Sequence, residues 1–336
     1  MSQNNKKVVL TGDRPTGKLH LGHLVGSIRT RLELEKECRQ FVMVADVQAL
    51  TDNADNPLKV RSNVLEVTLD NLAAGLDPSK TTFFIQSTIG EIAELTVFLS
   101  NLVTLARLER NPTIKEEMRQ KNFENNVPAG FLVYPISQAA DILICKANLV
   151  PVGADQLPMV EQTNELGEKF NSLYGHTFDR VEAIVSTTPR LIGVDGKAKM
   201  SKSLGNAIFL SDSADIIREK VMSMYTDPNH IKVSDPGTVS NNVVFDYLTI
   251  FDPDQKGLED LKQRYTNGGV GDILVKNRLV DILESIISPI RERREYLSKN
   301  PDYVMDILEE GGKRTREVAS TTLTLVKKMM KINYFV

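Results

Sequence analysis

The chain has 336 residues, of which 41% are hydrophobic and 25% charged, and its formal net charge is −3. This length allows two domains or one large domain with an appendage, and the composition is that of a globular chain. Because no apolar run is long enough to cross a bilayer and no apolar segment follows Met1, we expect a cytoplasmic protein without a membrane partner. Any nucleic-acid surface has to be a local patch. Cys38 and Cys145 lack CxxC spacing, so neither a zinc site nor a disulfide framework is indicated.

The chain begins with a short apolar run, Lys7–Leu10, that predicts a β-strand and leads into a glycine-rich turn. A helical pattern follows from about Leu24 to Arg39. Free backbone N–H groups and the positive end of a helix dipole make such a strand-to-helix turn an anion site. His20 and His23 are three residues apart at the start of the helix and can face the same anion. The alternative is an exposed turn with two incidental histidines.

Strands alternate with helices through residue 174. We predict strands at 40–46, 81–86 and 147–153 and helices at 57–75, 91–108, 136–144 and 157–174, with a loop containing some helix at 111–127. Elements of this length in alternation indicate an α/β fold, a Rossmann-like parallel sheet with helices on both faces. Ligands bind to such sheets at the carboxyl ends of the strands, which is where the glycine-rich turn lies.

Three polar residues interrupt the apolar segment 129–144, in which we predict a helix after Pro135. Tyr134, Gln138 and Asp141 recur at intervals of four and three, which places them on one stripe. A phenol, an amide and a carboxylate are costly to bury unpaired. They therefore line a ligand pocket, which we favour, or form the solvated edge of an amphipathic helix.

Two later segments have the residue types of a nucleotide site. Asp155 and Gln156 lie at a second strand-to-helix junction, where a carboxylate can cap a helix or accept from ribose hydroxyls. Lys197, Lys199 and Lys202 crowd one glycine-bounded loop. Such a loop can bring several cations to a polyphosphate, although most lysine-rich turns are simply solvated.

The remainder of the chain, after Leu210, is predicted to be helical. We expect helices that begin near Ser211, cover Asp281–Ser298 with a kink at Pro289, and end with a helix at 313–331. The last helix has six basic residues and one acid, which is typical of a solvated face and less often of a nucleic-acid surface. We therefore predict a catalytic domain at 1–210 and a smaller all-helical domain at 211–336, whose last helix can pack back on the first domain.

The pair His20-Leu-Gly-His23 and Lys199-Met-Ser-Lys-Ser203 resembles the two signature motifs of class I aminoacyl-tRNA synthetases. The second motif is a complete match, and the first differs from its commonest form only by Leu for Ile. Within this class the chain is similar to the bacterial tryptophanyl-tRNA synthetases over nearly its whole length. The segments that carry this similarity include residues 11–17, 105–110, 150–156, 165–171 and 316–320.

The resemblance implies roles for individual positions. The positions expected to bind ATP are Arg14, Pro15, Thr16, Gly22, His23, Gly153, Ala154, Asp155, Leu191 (across an alignment gap), Lys199, Met200, Ser201, Lys202 and Ser203. The positions expected to bind tryptophan are Tyr134, Gln138, Asp141 and Gln156, with Asp141 as the carboxylate that accepts from the indole N–H. The resemblance implies no protein metal site, since Mg²⁺ arrives bound with ATP.

One residue departs from the family pattern. Gln138 stands where many bacterial members have methionine, so that Tyr134, Gln138 and Asp141 reproduce a spacing also seen in tyrosyl-tRNA synthetases. The tyrosyl enzymes usually have a tyrosine two residues before the first-turn glycine, and here that position is Leu10. The segment Val150–Gly153 also favours the tryptophanyl branch. The resemblance therefore implies tryptophan, with a tyrosyl-tRNA synthetase as the alternative.

The activity implied is the ATP-dependent conversion of L-tryptophan to tryptophanyl-adenylate and its transfer to tRNA(Trp). Both attacking groups belong to substrates, so the expected catalytic residues His20, His23, Lys199 and Lys202 align phosphates and neutralise charge. The resemblance also implies a homodimer whose helical domain binds the anticodon, and no DNA partner. Two other classes stay open: a non-charging paralogue, which tends to lose the signature residues, and a nucleotidyltransferase, which shares only the opening motif.

Overall fold

The computed structural model describes residues 6–120, 127–185 and 191–335. Within these ranges five strands form one parallel sheet in the order β3-β2-β1-β4-β5, which confirms the predicted α/β fold class. The strands are β1 (Val8–Asp13), β2 (Arg39–Val44), β3 (Thr81–Ile85), β4 (Leu149–Val152) and β5 (Glu182–Val185).

Helices occupy most of the remaining described chain. A π-helical turn, Leu24–Ile28, joins the first two. None of the helices in the described ranges is long and apolar enough to span a bilayer. The α-helices are α1 (Leu21–His23), α2 (Arg29–Leu34), α3 (Asp46–Asn53), α4 (Pro57–Ala73), α5 (Gly90–Ser100), α6 (Leu105–Glu109), α7 (Pro112–Gln120), α8 (Ala129–Ile144), α9 (Leu157–Tyr174), α10 (Ala214–Met222), α11 (Val243–Phe251), α12 (Gln255–Thr266), α13 (Asp272–Ser298) and α14 (Pro301–Met329).

The strand order creates a topological switch point between β1 and β4. The chain leaves β1 toward β2 and β3 on one side, and β4 is followed by β5 on the other. Val9 is level with Leu149 in the parallel pair, so Asp13 and Gly153, each four residues further on, leave the sheet next to each other. Open parallel sheets bind ligands in the crevice at such a point. Two of the segments expected to bind ATP begin there.

The last helix packs directly on the sheet. A Cβ at Gly311 of α14 would lie 1.7 Å from the carbonyl oxygen of Phe83 in β3, so only glycine allows this close approach. Ala319 and Val326 of the same helix belong to the buried core beneath β1, β2 and α8. This close packing explains why the sequence has Gly-Gly in the middle of a helix.

The chain divides into two compact units, which are described separately below. Unit 1 comprises residues 1–16, 27–187 and 300–336, and unit 2 comprises residues 17–26 and 188–299. The sheet and α14 belong to unit 1, and α10 to α13 belong to unit 2. These boundaries differ from the functional division at residue 210, which stays a prediction.

Several helix boundaries differ from those predicted. The first helix begins at Leu21 and ends at Leu34, not Arg39, because Arg39 already pairs with Val8 in the sheet. The predicted helix 91–108 is two helices, since the Thr104 side chain accepts from the Arg107 N–H and starts α6. Residues 112–120 of the predicted loop form α7, and residues 121–126 lie outside the described ranges.

Three other helices begin earlier than predicted. α8 starts at Ala129 although Pro135 cannot donate to the carbonyl of residue 131, because burial of the surrounding apolar face stabilises it. α13 starts at Asp272, and Pro289 lies within it. α14 starts at Pro301, where the Asn300 side chain accepts from the Tyr303 N–H. β5 and α3 were not predicted from the sequence.

Candidate active site

The two histidines of the first motif form a reciprocal cap at the start of α1 in unit 2. His20 Nδ1 accepts from the Gly22 N–H at 3.1 Å, and His23 Nδ1 accepts from the His20 N–H at 3.2 Å. Their ring centroids are 4.0 Å apart. Both side chains therefore have one ring nitrogen engaged with the backbone, and the rings are held side by side.

This cap determines which ring nitrogens carry protons. A nitrogen that accepts from a backbone N–H is unprotonated, so each neutral ring carries its proton on Nε2. Burial, followed by the charges of His23, Lys202 and Lys199, lowers the pKa of His20 to about 2. His20 is therefore neutral at physiological pH and offers an N–H donor to an anion, not a positive charge.

The lysine-rich loop contacts the first motif within unit 2. Lys202 Nζ donates to the Gly17 carbonyl at 2.5 Å. The chain that follows the loop runs beside the histidines: the Leu21 N–H donates to the Ile208 carbonyl, and His20 forms an antiparallel bridge with Phe209. The structure thus brings together the two motifs that are nearly 180 residues apart in sequence.

Asn206, which the sequence analysis did not single out, holds the lysine-rich loop. Its side chain is buried, with Oδ1 accepting from the Ser201 N–H at 2.8 Å. Its Nδ2 donates to both carboxylate oxygens of Asp195, each at 3.2 Å. The residue before Ser201 is also held, because the Met200 N–H donates to the Leu191 carbonyl at 2.9 Å. Lys199 is exposed and Lys202 half-buried.

In unit 1, a buried ion pair fixes the end of β1 directly before Arg14. Arg31 of α2 donates to the two carboxylate oxygens of Asp13 at 2.5 and 2.9 Å. Asn71 of α4 donates to the same carboxylate at 3.0 Å. Arg14 itself is exposed and pairs with Asp52 at 2.7 Å. The backbone that leads into the expected ATP segment is therefore anchored by two helices.

Asp141 of α8 is the most deeply buried of the expected tryptophan-binding residues. Its side chain is 1% exposed, and two amides donate to it. Gln86 Nε2 lies 2.9 and 3.0 Å from its two oxygens, and Gln48 Nε2 lies 2.7 Å from Oδ2. Burial raises the pKa of Asp141 to about 8, against the opposing effect of these amides. Neither glutamine was predicted from the sequence, although Gln48 follows the predicted strand 40–46 and Gln86 is the last residue of the predicted strand 81–86.

Gln138 and Tyr134 lie one and two turns before Asp141 in the same helix. The Tyr134 hydroxyl donates to Glu117 of α7 at 2.9 Å, and burial raises its pKa. Gln138 is half-buried, and no hydrogen bond links its side-chain amide to any other residue in the described ranges. An amide of this kind is available to a ligand. Glu117 is a further residue that the sequence did not reveal.

The segment after β4 forms a short turn before α9 in unit 1. Gly153, Ala154 and Asp155 are exposed, and Gln156 is the half-buried N-cap residue of α9. The Thr113 hydroxyl donates to the Asp155 carbonyl at 2.8 Å, which ties this turn to α7. The exposed turn therefore lies at the strand edge where a ribose was expected.

The expected site residues thus fall into two groups, one in each unit. Unit 1 contains Arg14, Pro15, Thr16, Tyr134, Gln138, Asp141, Gly153, Ala154, Asp155 and Gln156. Unit 2 contains His20, Gly22, His23, Leu191, Lys199, Met200, Ser201, Lys202 and Ser203. The described residues bring no group of three or more His, Cys, Asp or Glu side chains together in metal-binding geometry.

Comparisons with known proteins identify the family of this chain. The profile of the family described as tRNA synthetases class I (W and Y) matches residues 2–288. The chain is 56% identical over 335 residues to a tryptophan–tRNA ligase of Clostridium longisporum, with 98% of each chain covered. It is 55% identical over 339 residues to a tryptophan–tRNA ligase of Streptococcus mutans, which covers 98% of this chain and 100% of that one.

Solved structures give the same result for the fold. The crystal structure of tryptophanyl-tRNA synthetase from Campylobacter jejuni complexed with ADP and tryptophan has a TM-score of 0.85 to this chain at 30% identity, covering 96% of this chain and 99% of that one. Signature motifs, parallel sheet and similarity over almost the full length lead to one conclusion. The chain belongs to the family of class I tRNA synthetases (W and Y).

Proposed function

We propose that this protein activates L-tryptophan with ATP and transfers it to tRNA(Trp). The observation that carries the proposal is the meeting of the two signature motifs in unit 2, where Lys202 contacts the Gly17 carbonyl beside His20 and His23. Relatives named tryptophan–tRNA ligase, 55–56% identical over almost the full length, support tryptophan as the amino acid.

In the first step, an oxygen of the tryptophan carboxylate attacks the α-phosphorus of ATP, forming tryptophanyl-adenylate and releasing pyrophosphate. The leaving pyrophosphate gains negative charge, and Lys199 and Lys202 stabilise it. His20 and His23 each offer an Nε2–H group to phosphate oxygens, because the Nδ1 atom of each is engaged with the backbone. No side chain has to act as a nucleophile, so catalysis depends on alignment and charge stabilisation.

The remaining ATP contacts follow the family motif. Those in unit 1 are Arg14, Pro15, Thr16, Gly153, Ala154 and Asp155, and those in unit 2 are Gly22, Leu191, Met200, Ser201 and Ser203. The exposure of Asp155 at the carboxyl end of β4 supports a contact with ribose hydroxyls. Mg²⁺ belongs to the substrate in this proposal, since it binds chiefly to phosphate oxygens and water.

Asp141 accepts from the indole N–H, and Tyr134, Gln138 and Gln156 contact the amino acid. The burial of Asp141 and its amide neighbours support an acceptor directed at a single donor. A phenylalanine side chain has no N–H, so its binding would leave this acceptor unpaired at a cost of about 1–3 kcal/mol.

In the second step, a terminal ribose hydroxyl of tRNA(Trp) attacks the carbonyl carbon of the adenylate, and AMP leaves. We propose that the helical domain at 211–336 holds the anticodon, that the enzyme is a homodimer, and that it works in the cytoplasm, where translation uses its product. The basic face of α14 supports tRNA contact less than its composition suggested. Lys313 pairs with Glu309 and Glu310, Arg316 donates to the Thr88 carbonyl, and Lys327 pairs with Glu94.

The test is aminoacylation of transcribed tRNA(Trp) and tRNA(Tyr) with radioactive tryptophan or tyrosine. We expect charging only for tryptophan with tRNA(Trp). Charging of tRNA(Tyr) with tyrosine would establish the tyrosyl alternative. Absence of charging with every pair would instead establish a non-charging paralogue.

A further inference from the structure

We propose that Gln86 and Gln48 are positioning residues for amino-acid specificity, because they hold the Asp141 carboxyl group as an acceptor with one direction left for the substrate. This inference rests on the proposed function and extends it to residues that do not themselves contact tryptophan. Both glutamines and Asp141 lie in unit 1.

Gln86 is locked in a single orientation. It is 2% exposed and follows β3, where its Nε2 reaches both oxygens of Asp141 at 2.9 and 3.0 Å. Its Oε1 accepts from the backbone N–H of Gln48 at 3.2 Å, in the first turn of α3. Because this N–H can only donate, it keeps the Gln86 oxygen on its own side and the amino group toward the carboxylate. The amide therefore cannot flip without losing all three contacts.

Gln48 supplies the third hydrogen bond. Its Nε2 donates to Asp141 Oδ2 at 2.7 Å, and the side chain is half-buried. A carboxylate has about four lone-pair positions, of which these two amides occupy three. One acceptor position is left, which suits one N–H donor such as that of an indole. A substrate with no donor, or one that must itself accept, leaves this position unsatisfied.

The two amides also favour the ionised form of Asp141. No lysine or arginine in the described ranges forms an ion pair with it. The neighbouring ionisable groups are Asp46, which raises the pKa of Asp141, and Cys145, whose own pKa is raised by burial and by Asp141. Hydrogen bonds from Gln86 and Gln48 lower the pKa of Asp141 against burial. Without them the carboxyl group keeps its proton to higher pH, and a protonated carboxyl is a weaker acceptor for an indole N–H.

The experiment compares Gln86→Met and Gln48→Met with the wild type, since methionine keeps the length of glutamine but cannot donate. ATP–pyrophosphate exchange is measured with tryptophan, phenylalanine and tyrosine from pH 6 to 8.5. The matched control is Gln40→Met, which removes a buried amide that donates to Thr81 on the same sheet. Gln48 is half-buried, so its variant remains informative if Gln86→Met fails to fold.

We expect each site variant to raise KM for tryptophan about tenfold to hundredfold, as for lost hydrogen bonds to a charged group. KM for ATP should stay within about twofold, discrimination against phenylalanine, which has no donor to lose, should weaken, and the pH midpoint of kcat/KM for tryptophan should move upward. The control should show none of these changes. Site variants that behave like Gln40→Met would overturn the inference. A wild-type protein that does not activate tryptophan would overturn the proposed function instead.

Discussion

Lys202 Nζ donates to the carbonyl oxygen of Gly17 at 2.5 Å, although the two residues are 185 positions apart in the chain. Gly17 has φ +140°, a backbone conformation that residues with a side chain rarely adopt. It lies three residues before His20 in the chain. The amine is thus held beside the histidines by a neutral acceptor. A phosphate oxygen forms a stronger hydrogen bond with an ammonium group than a carbonyl does. ATP can therefore replace the carbonyl as the partner of Lys202.

Lys202→Met should slow tryptophanyl-adenylate formation by roughly 10²–10³, because a contact to developing charge is lost. Tryptophan affinity should change less than about twofold, since the residue serves the phosphates. Single-turnover quench-flow and equilibrium dialysis measure the two quantities. The control is Lys197→Met, which replaces an exposed lysine in the same loop. It should change neither the rate of adenylate formation nor the affinity for tryptophan. A Lys202→Met variant that loses tryptophan binding but keeps its rate would contradict this role.

The roles of the two ring nitrogens of His20 can be tested separately by substitution. In His20→Asn, the side-chain oxygen can still accept from the Gly22 N–H, but no group reaches the former Nε2 position. In His20→Gln, an amide N–H can reach that position, but the cap is lost at a cost of about 1 kcal/mol. We expect the Asn variant to be stable but slow in adenylation. The Gln variant should catalyse adenylation faster than the Asn variant and be less stable. The opposite order of adenylation rates would exclude Nε2 as the donor.

Because burial raises the pKa of Asp141 to about 8, its ionisation should be visible in ligand binding. The ionised form is the better acceptor for an indole N–H, so tryptophan affinity should rise as pH increases from 6.5 to about 8.5. Asp141→Asn should abolish this dependence and weaken discrimination against phenylalanine. Fluorescence titration with tryptophan analogues at each pH measures the affinities. A wild-type affinity that is constant with pH would place the pKa of Asp141 outside this window.

The raised pKa of Asp141 also affects the stability of the fold. Stability should fall over the pH range in which tryptophan affinity is expected to rise. The folded protein holds the Asp141 proton up to about pH 8, whereas the unfolded chain releases it near its ordinary value of 3.8. The contribution of this group to the free energy of unfolding is therefore full below pH 4 and is lost as pH rises toward 8. Urea denaturation measures this effect. Between pH 5 and pH 8, the free energy of unfolding should decrease less for Asp141→Asn than for the wild type.

Arg31 should matter more for stability than any surface ion pair. It is 1% exposed and donates to Asp13 and Asn71. Its removal leaves the buried Asp13 carboxylate with the Asn71 amide but without the guanidinium charge. Arg31→Leu should lower the free energy of unfolding by about 3–5 kcal/mol. The control is Arg180→Ala, which breaks an exposed pair with Glu168 and should cost about 0–1 kcal/mol. Equal effects in urea titrations would mean that the Asp13 network adds little.

The sequence predicted the elements that have a strong local signal. Four of the five strands are apolar runs before a turn, and α4 has both its cap at Asn56 and its ending glycine at Gly75. The helix boundaries that were wrong depend on tertiary contacts. α8 continues through Pro135 because its apolar face is buried. α14 begins twelve residues early because Asn300 caps it and because Val304 and Leu308 in its first turns are buried. Periodicity does not report such packing.

The candidate site also contains residues with a local sequence signal and residues whose role depends on tertiary contacts. His20, His23, Lys199 and Lys202 were found because their motifs are contiguous in sequence. The residues that hold them, such as Asn206, and those that orient Asp141, such as Gln86, are single amides without a motif. Their role depends on which side chain the fold places opposite them. The position of Gln86 directly after a parallel strand was the one available signal.

The most direct test of the account is ATP–pyrophosphate exchange with each of the twenty amino acids, using the wild type and Lys202→Met. We expect exchange with tryptophan alone in the wild type and a loss of roughly 10²–10³ in the variant. Exchange that depends on tyrosine, exchange with no amino acid, or full activity of Lys202→Met would contradict the account.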